Sequence, residues 1–146
     1  MPTKVFYSLE DNRLKVIGTI EHAIELFLTE ASGELVAEVA RNSRVDTGQL
    51  KASWTGYVDG YEAVIGSPLE NAIWEEFGTG VRAEIVEGHG TGIGRQTGWV
   101  YEDAKGKYHF TRGKKRNPHG LLYSYNQVKE PIKKRAETIF KAEFME

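Results

Sequence analysis

Two apolar stripes at helical spacing, one in each half of the chain, constrain the fold more than any other feature. Ile20, Ile24, Phe27, Leu28, Ala31, Leu35 and Val39 recur mostly in steps of three and four. That spacing puts them on one face of a helix from about Ile20 to Asn42. Thr19 is placed to cap it, and Glu21 and Glu25 lie in or near the first turn, where the helix dipole favours anions. Gly18 separates this helix from a short preceding turn. The second stripe is Leu121, Leu122, Tyr125, Val128, Ile132, Ala136, Ile139, Phe140 and Phe144. It predicts a helix from about Pro131 to Glu143, preceded by another turn or two, with Pro131 as a first-turn residue or a kink.

Segments outside the stripes alternate instead. Val5, Tyr7 and Leu9 predict a short N-terminal strand. Leu50 to Val58 and Glu62 to Ile65 flank Asp59-Gly60 and predict a hairpin. Trp99 to Glu102 and Tyr108 to Thr111 predict a second, with a basic tip at Ala104-Lys105-Gly106-Lys107. Ala72 to Phe77 reads as a short amphipathic helix stopped by Gly78. Residues 78–98 hold seven glycines, too many for a helix or packed strand, and predict a flexible loop that orders on assembly. The expectation is an α+β fold in one domain, 1–146. A small antiparallel sheet of hairpins is packed by the long helix of the N-terminal half and the C-terminal helix.

At 146 residues the chain can bury enough of its surface to need no staple, about 68–70% for a domain of this size. It has no cysteine, which removes disulfides, thiol nucleophiles and thiolate zinc sites. No cofactor is expected. The N-terminus lacks the apolar core of a signal peptide, and no stretch approaches the roughly 20 apolar residues of a membrane span. A soluble protein made in the cytoplasm, with no membrane partner, is the expectation.

Two glycine-closed motifs stand about twenty-five residues apart: Asp46-Thr47-Gly48-Gln49-Leu50-Lys51-Ala52-Ser53 and Ala72-Ile73-Trp74-Glu75-Glu76-Phe77-Gly78-Thr79-Gly80. In the first, an Asp followed by Thr-Gly suits a sharp turn. With Gly66 at a strand end and Pro118 before the last helix, the two blocks resemble the minor tail component family of long-tailed bacteriophages, the tail-completion or head-to-tail joining proteins. The matching residues are Asp46, Thr47, Gly48, Leu50, Ser53, Gly66, Ala72, Glu76, Gly78, Thr79 and Pro118, in order from about Ile20 to the C-terminus. The resemblance implies a non-enzymatic virion component that assembles as a ring at the junction of tail and capsid. It implies other tail or connector proteins as partners, with monomers allowed in isolation, and positioning roles for the motif residues.

Competing chemistries start from the same residues. Asp46-Thr47-Gly48 is also the aspartic protease signature, which from a single copy would need a homodimer whose two carboxylates share a proton. Arg41 and Arg44 close by would hold carboxylates ionised and oppose that sharing. Gly88-His89-Gly90-Thr91-Gly92-Ile93-Gly94-Arg95 lacks the Gly-Lys-Ser/Thr ending of a phosphate-binding loop. His22, His89, His109 and His119 have no metal-ligand spacing. Glu75-Glu76 are adjacent on a helix and point apart, so they read as an exposed acid beside a structural one.

Charge is unevenly placed. Residues 1–104 hold 8 Lys+Arg against 17 Asp+Glu, and residues 105–146 hold 11 against 4. Such a dipole suits subunits that meet head to tail, the geometry that closes rings. Lys105, Lys107, Arg112, Lys114, Lys115 and Arg116, interleaved with Tyr108, His109 and Phe110, form the basic cluster. It offers an interface to an acidic neighbour, proximity to DNA in a channel, or the contact face of a small nucleic-acid-binding module.

Overall fold

The computed structural model describes residues 10–45, 48–86 and 97–145. The expected strand at Val5–Leu9, the turn residues Asp46 and Thr47, and residues 87–96 of the glycine segment lie outside them. Along the chain run α1 (Arg13–Asn42), α2 (Gln49–Ser53), β1 (Thr55–Asp59), β2 (Glu62–Gly66), α3 (Asn71–Phe77), a 3-10 turn (Gly80–Arg82), β3 (Trp99–Glu102), β4 (Tyr108–Thr111) and α4 (Leu121–Met145). The fold is α+β. The strands form two separate antiparallel hairpins, and α1 and α4 pack along each other.

The α1/α4 pair is antiparallel, as three polar pairs along its length show. Asn42 Nδ2 donates to Ser124 Oγ at 3.1 Å, Arg135 Nε to Glu30 Oε2 at 2.6 Å, and His22 Nε2 lies 3.7 Å from Glu143 Oε2. Between them Ala23, Leu35, Val39, Val128 and Ile139 are buried. These come from the two stripes or lie beside them, so burying one stripe against the other is what joins the ends of the chain.

Both long helices start earlier than expected. Helix α1 begins at Arg13 rather than Ile20, because once a helix is nucleated each added residue brings a backbone bond at little cost. Asp11 Oδ1 accepts the Arg13 amide at 3.1 Å and so serves the first turn. Thr19 is therefore interior, its Oγ1 donating back to the Lys15 carbonyl at 3.0 Å, and it is not a cap. The added turns carry Leu14 and Ile17, which are 85% and 51% exposed. Helix α4 begins at Leu121, ten residues before the expected Pro131, and runs through that proline. The missing hydrogen bond falls on the carbonyl of Gln127, and both residues are exposed, so water can serve it.

Leu50 to Ser53 forms a helical turn rather than the start of a strand. Local bonds win there: Ala52 N donates to Gly48 O at 3.1 Å and Ser53 Oγ to Leu50 O at 2.6 Å. The β1–β2 hairpin pairs Thr55 with Gly66 and Asp59 with Glu62 around a Gly60-Tyr61 turn. Its open end is tied by Ser53 Oγ and Ser67 Oγ at 2.6 Å. The β3–β4 hairpin occupies the expected residues. Its turn is built on Asp103, whose Oδ1 accepts the amides of Lys105 at 2.8 Å and Lys107 at 3.0 Å while Oδ2 meets His109 Nε2 at 2.8 Å. Those contacts, His109 foremost, hold the Asp103 carboxyl below its ordinary pKa.

Val39 is 1% exposed at the α1/α4 contact. Its replacement by Ala removes two buried methyls and leaves a cavity, and should cost about 2 kcal/mol in urea unfolding. Leu14→Ala, at an exposed position, should stay within about 0.5 kcal/mol of wild type. Equal midpoints for the two variants would show that the helix pair is not the core.

Candidate functional site

Two adjacent acids on α3 and the strap at residues 112–117 form the most connected polar cluster among the described residues. Glu75 is buried, 7% exposed. Its Oε2 accepts from Arg44 Nε at 2.8 Å and its Oε1 from Lys114 Nζ. Burial pushes its carboxyl up, but the Lys114 and Arg44 hydrogen bonds outweigh this and hold the pKa below the ordinary glutamate value.

Glu76 points the other way on the same helix. Its Oε2 accepts the Leu121 amide at 2.6 Å and its Oε1 the Leu122 amide at 3.2 Å, so it caps α4 from outside with charge matched to the helix dipole. The two main-chain carbonyls serve as well: Glu75 O accepts from Asn117 N at 2.7 Å and Glu76 O from Arg116 Nε at 2.9 Å. Neither Glu75 nor Glu76 is the exposed acid expected of one of the pair: each holds a different element.

Beyond α3 the chain continues as a second seam. Thr79 N donates to Lys114 O at 2.9 Å, Lys114 N to Thr79 Oγ1 at 2.8 Å, and Val81 N to Arg112 O at 3.0 Å. Gly78 makes the approach possible. Its φ of 77° and ψ of −171° lie in a region open essentially to glycine alone. A Cβ there would stand 2.6 Å from Lys114 O and 2.9 Å from Arg116 N. Gly48 also has positive φ, 81°, but faces open space.

The remaining motif residues surround this cluster. Leu50 is buried, Ser53 ties the first hairpin, and Gly66 ends β2. Ala72 lines an apolar groove of about 530 Å³ with Leu35, Trp54, Ile65, Phe77 and Leu121. Pro118 is exposed in the turn before α4, next to the buried Asn117, whose Oδ1 accepts the His119 amide at 3.0 Å. Asn117 Nδ2 also donates to Asn42 O at 3.0 Å, tying the strap to the end of α1. Asn117, Asn42 and Ser124 were not singled out by sequence. Only the turn-forming Asn-Pro pair hinted at the first, since their partners lie 75 and 82 residues away.

The basic cluster divides. Lys114 and Arg116 are drawn into the α3 cluster, while Lys105, Lys107, Arg112 and Lys115 are exposed. A groove of about 830 Å³ opens beside Glu75, lined by the cations Arg44, Arg82, Lys114 and Lys115 and the aromatic rings of Trp74, Trp99 and Tyr101. No acid is among the described residues that line it. Among the described residues no group of His, Asp or Glu could hold a metal, and no helix is long and apolar enough to cross a membrane.

Residues 11–78 match the HK97-gp10-like family, whose description reads "Bacteriophage HK97-gp10, putative tail-component". The match bears out, over that span, the resemblance to phage tail components drawn from the two glycine-closed motifs. It reaches from the start of α1 to the glycine that ends α3 and leaves the strap and α4 outside. No curated protein and no solved structure shows significant similarity to the chain.

Two outcomes follow from this geometry. Gly78→Ala should cost about 3 kcal/mol or more, because a forbidden backbone angle coincides with a main-chain clash. Gly48→Ala should cost about 1–2 kcal/mol for the angle alone, and the reverse order in thermal unfolding would refute the seam. A folded pKa below the unfolded one means that the Glu75 pairing contributes fully above the ordinary value of about 4.3 and is lost as pH falls through the folded pKa. The stability gap between wild type and Glu75→Gln should therefore be wide at pH 7 and shrink steadily from about pH 4.3 downward. A gap independent of pH would remove the ionised carboxylate from the account.

Proposed function

We propose, from the phage tail component family that residues 11–78 match, that this protein is a structural part of a phage or prophage tail at the tail-completion or head-to-tail joining position. It acts without catalysis, as a single domain of 1–146 in a ring-like oligomer whose glycine-rich segment, about 78–98, takes its shape against neighbouring proteins. It is made in the host cytoplasm and ends in the virion.

One observation supports an architectural role above the others. The acids and glycines of the second motif are spent on holding α3, the strap and α4 together, with each carboxylate oxygen of Glu75 and Glu76 already accepting a hydrogen bond. Acids used in this way brace a scaffold, each committed to holding separate segments of the chain together. Positioning roles for Gly48, Leu50, Ser53, Gly66, Ala72, Glu76, Gly78, Thr79 and Pro118 follow the same logic, and Asp46 and Thr47 are assigned with them as the preceding turn.

Deletion of the gene from an inducible prophage is the direct test. Lysates should contain filled capsids and tails that are unjoined or irregular in length by negative-stain electron microscopy, with infectivity lowered by about a thousandfold or more, restored by the gene in trans. Joined, infectious particles of normal tail length in the deletion strain would reject the reading.

A further inference from the structure

The β1–β2 hairpin ends in a tip that is acidic and aromatic, and the groove beside α3 is cationic and aromatic. At the tip Asp59 and Glu62 flank the Gly60-Tyr61 turn, with Tyr61 67% exposed and no cation between residues 55 and 66. In the groove, Glu75 engages Arg44 and Lys114, whereas the side chains of Arg82 and Lys115 make no ion pair among the described residues. Trp74 and Tyr101, on the walls, are 40% and 47% exposed.

The two surfaces cannot meet within one chain. Tyr61 Oη donates to Glu21 Oε1 at 3.3 Å, which fixes the tip near the beginning of α1. Arg44, on the groove, stands just past the end of α1 at Asn42. From Glu21 to Asn42 a helix rises about 30 Å, and α1 is continuous over that distance.

We propose that the acidic tip of one copy seats in the cationic groove of the next, with Asp59 and Glu62 facing Arg82 and Lys115 and Tyr61 among the rings of Trp74, Trp99 and Tyr101. Charge complementarity selects a second copy of this chain as the occupant. The contact joins unlike surfaces, so a docked pair still presents one free tip and one free groove, and the series ends only by closing on itself. This inference rests on the ring-assembly reading above and supplies the surfaces it uses.

The test uses two variants of the full chain, Asp59→Lys with Glu62→Lys and Arg82→Glu with Lys115→Glu. All four residues are exposed, and circular dichroism checks that both variants fold as wild type. In sedimentation velocity at low salt and high protein concentration, wild type should self-associate. Each variant alone should associate at least about tenfold more weakly, because like charges now face each other. An equimolar mixture should regain association, since the reversed tip of the first suits the reversed groove of the second and the native tip of the second suits the native groove of the first. A photo-crosslinker in place of Tyr61 should mark β3 or residues 112–115 of another copy. Wild-type association unchanged in both variants would overturn the docking surfaces and leave the ring reading standing. A monomer at every salt and concentration would overturn self-docking while the prophage deletion still decides the function. Binding of a single-stranded oligonucleotide that Arg82→Glu with Lys115→Glu abolishes, together with no rescue in the mixture, would assign the groove to nucleic acid instead.

Discussion

The placement of the strap and of α4 depends on two neighbouring carboxylates that face opposite ways. Adjacent helix positions differ by roughly 100° in direction, so Glu75 and Glu76 cannot act on the same partner. One turns inward to two cations from either side of α3, and the other turns to the amides that open α4. Because Glu75 is buried, its charge would be costly without both partners, and Arg44 and Lys114 come from segments 70 residues apart in sequence. The pair thus fixes where the strap must lie, and the strap fixes where α4 begins.

That arrangement explains how a chain without disulfides can order the long connection between the second hairpin and the last helix. The strap makes no sheet with α3. Its backbone groups are instead matched individually: Lys114 O and N to Thr79, Arg112 O to Val81, Lys115 O to Arg44, Asn117 N to Glu75. Buried backbone groups left unmatched would each cost about 1–3 kcal/mol, so the geometry of Gly78 and the identity of Thr79 are set by this list rather than by the turn they also form.

The sequence made the fold class legible because hydrophobic spacing survives without knowledge of tertiary partners. Both long helices, α3 with its glycine stop, and all of β3 and β4 can be read from period and punctuation. What could not be read arises from contacts distant in sequence. The early start of α4 requires Glu76, 45 residues before Leu121, to receive its first amides. The helical turn at Leu50 to Ser53 displaces a strand-like run through bonds of Gly48 and Ser53 that compete locally with the ladder. Of the cluster itself, Glu76, Gly78 and Thr79 were visible through the motif, whereas Asn117 and the split of the basic run between Lys114 and Lys115 were not, since pairing to a buried acid leaves no local signature.

The split bears on how charge can work in an assembly. The halves of the chain differ strongly in sign, yet part of the basic half is consumed internally: Lys114 by Glu75, Arg135 by Glu30. Only cations left over can act between molecules, and at physiological salt they act over about 8 Å, so a sequence-wide dipole orients neighbours weakly unless the residual charges sit at the contact. Exposed ion pairs on their own are also worth little, about 0–1 kcal/mol. A surface that combines residual cations with half-exposed rings escapes both limits, because burial of the rings supplies affinity while the charges choose the orientation. Such a surface, held by α1 about 30 Å from a complementary one, makes any self-contact directional from the outset.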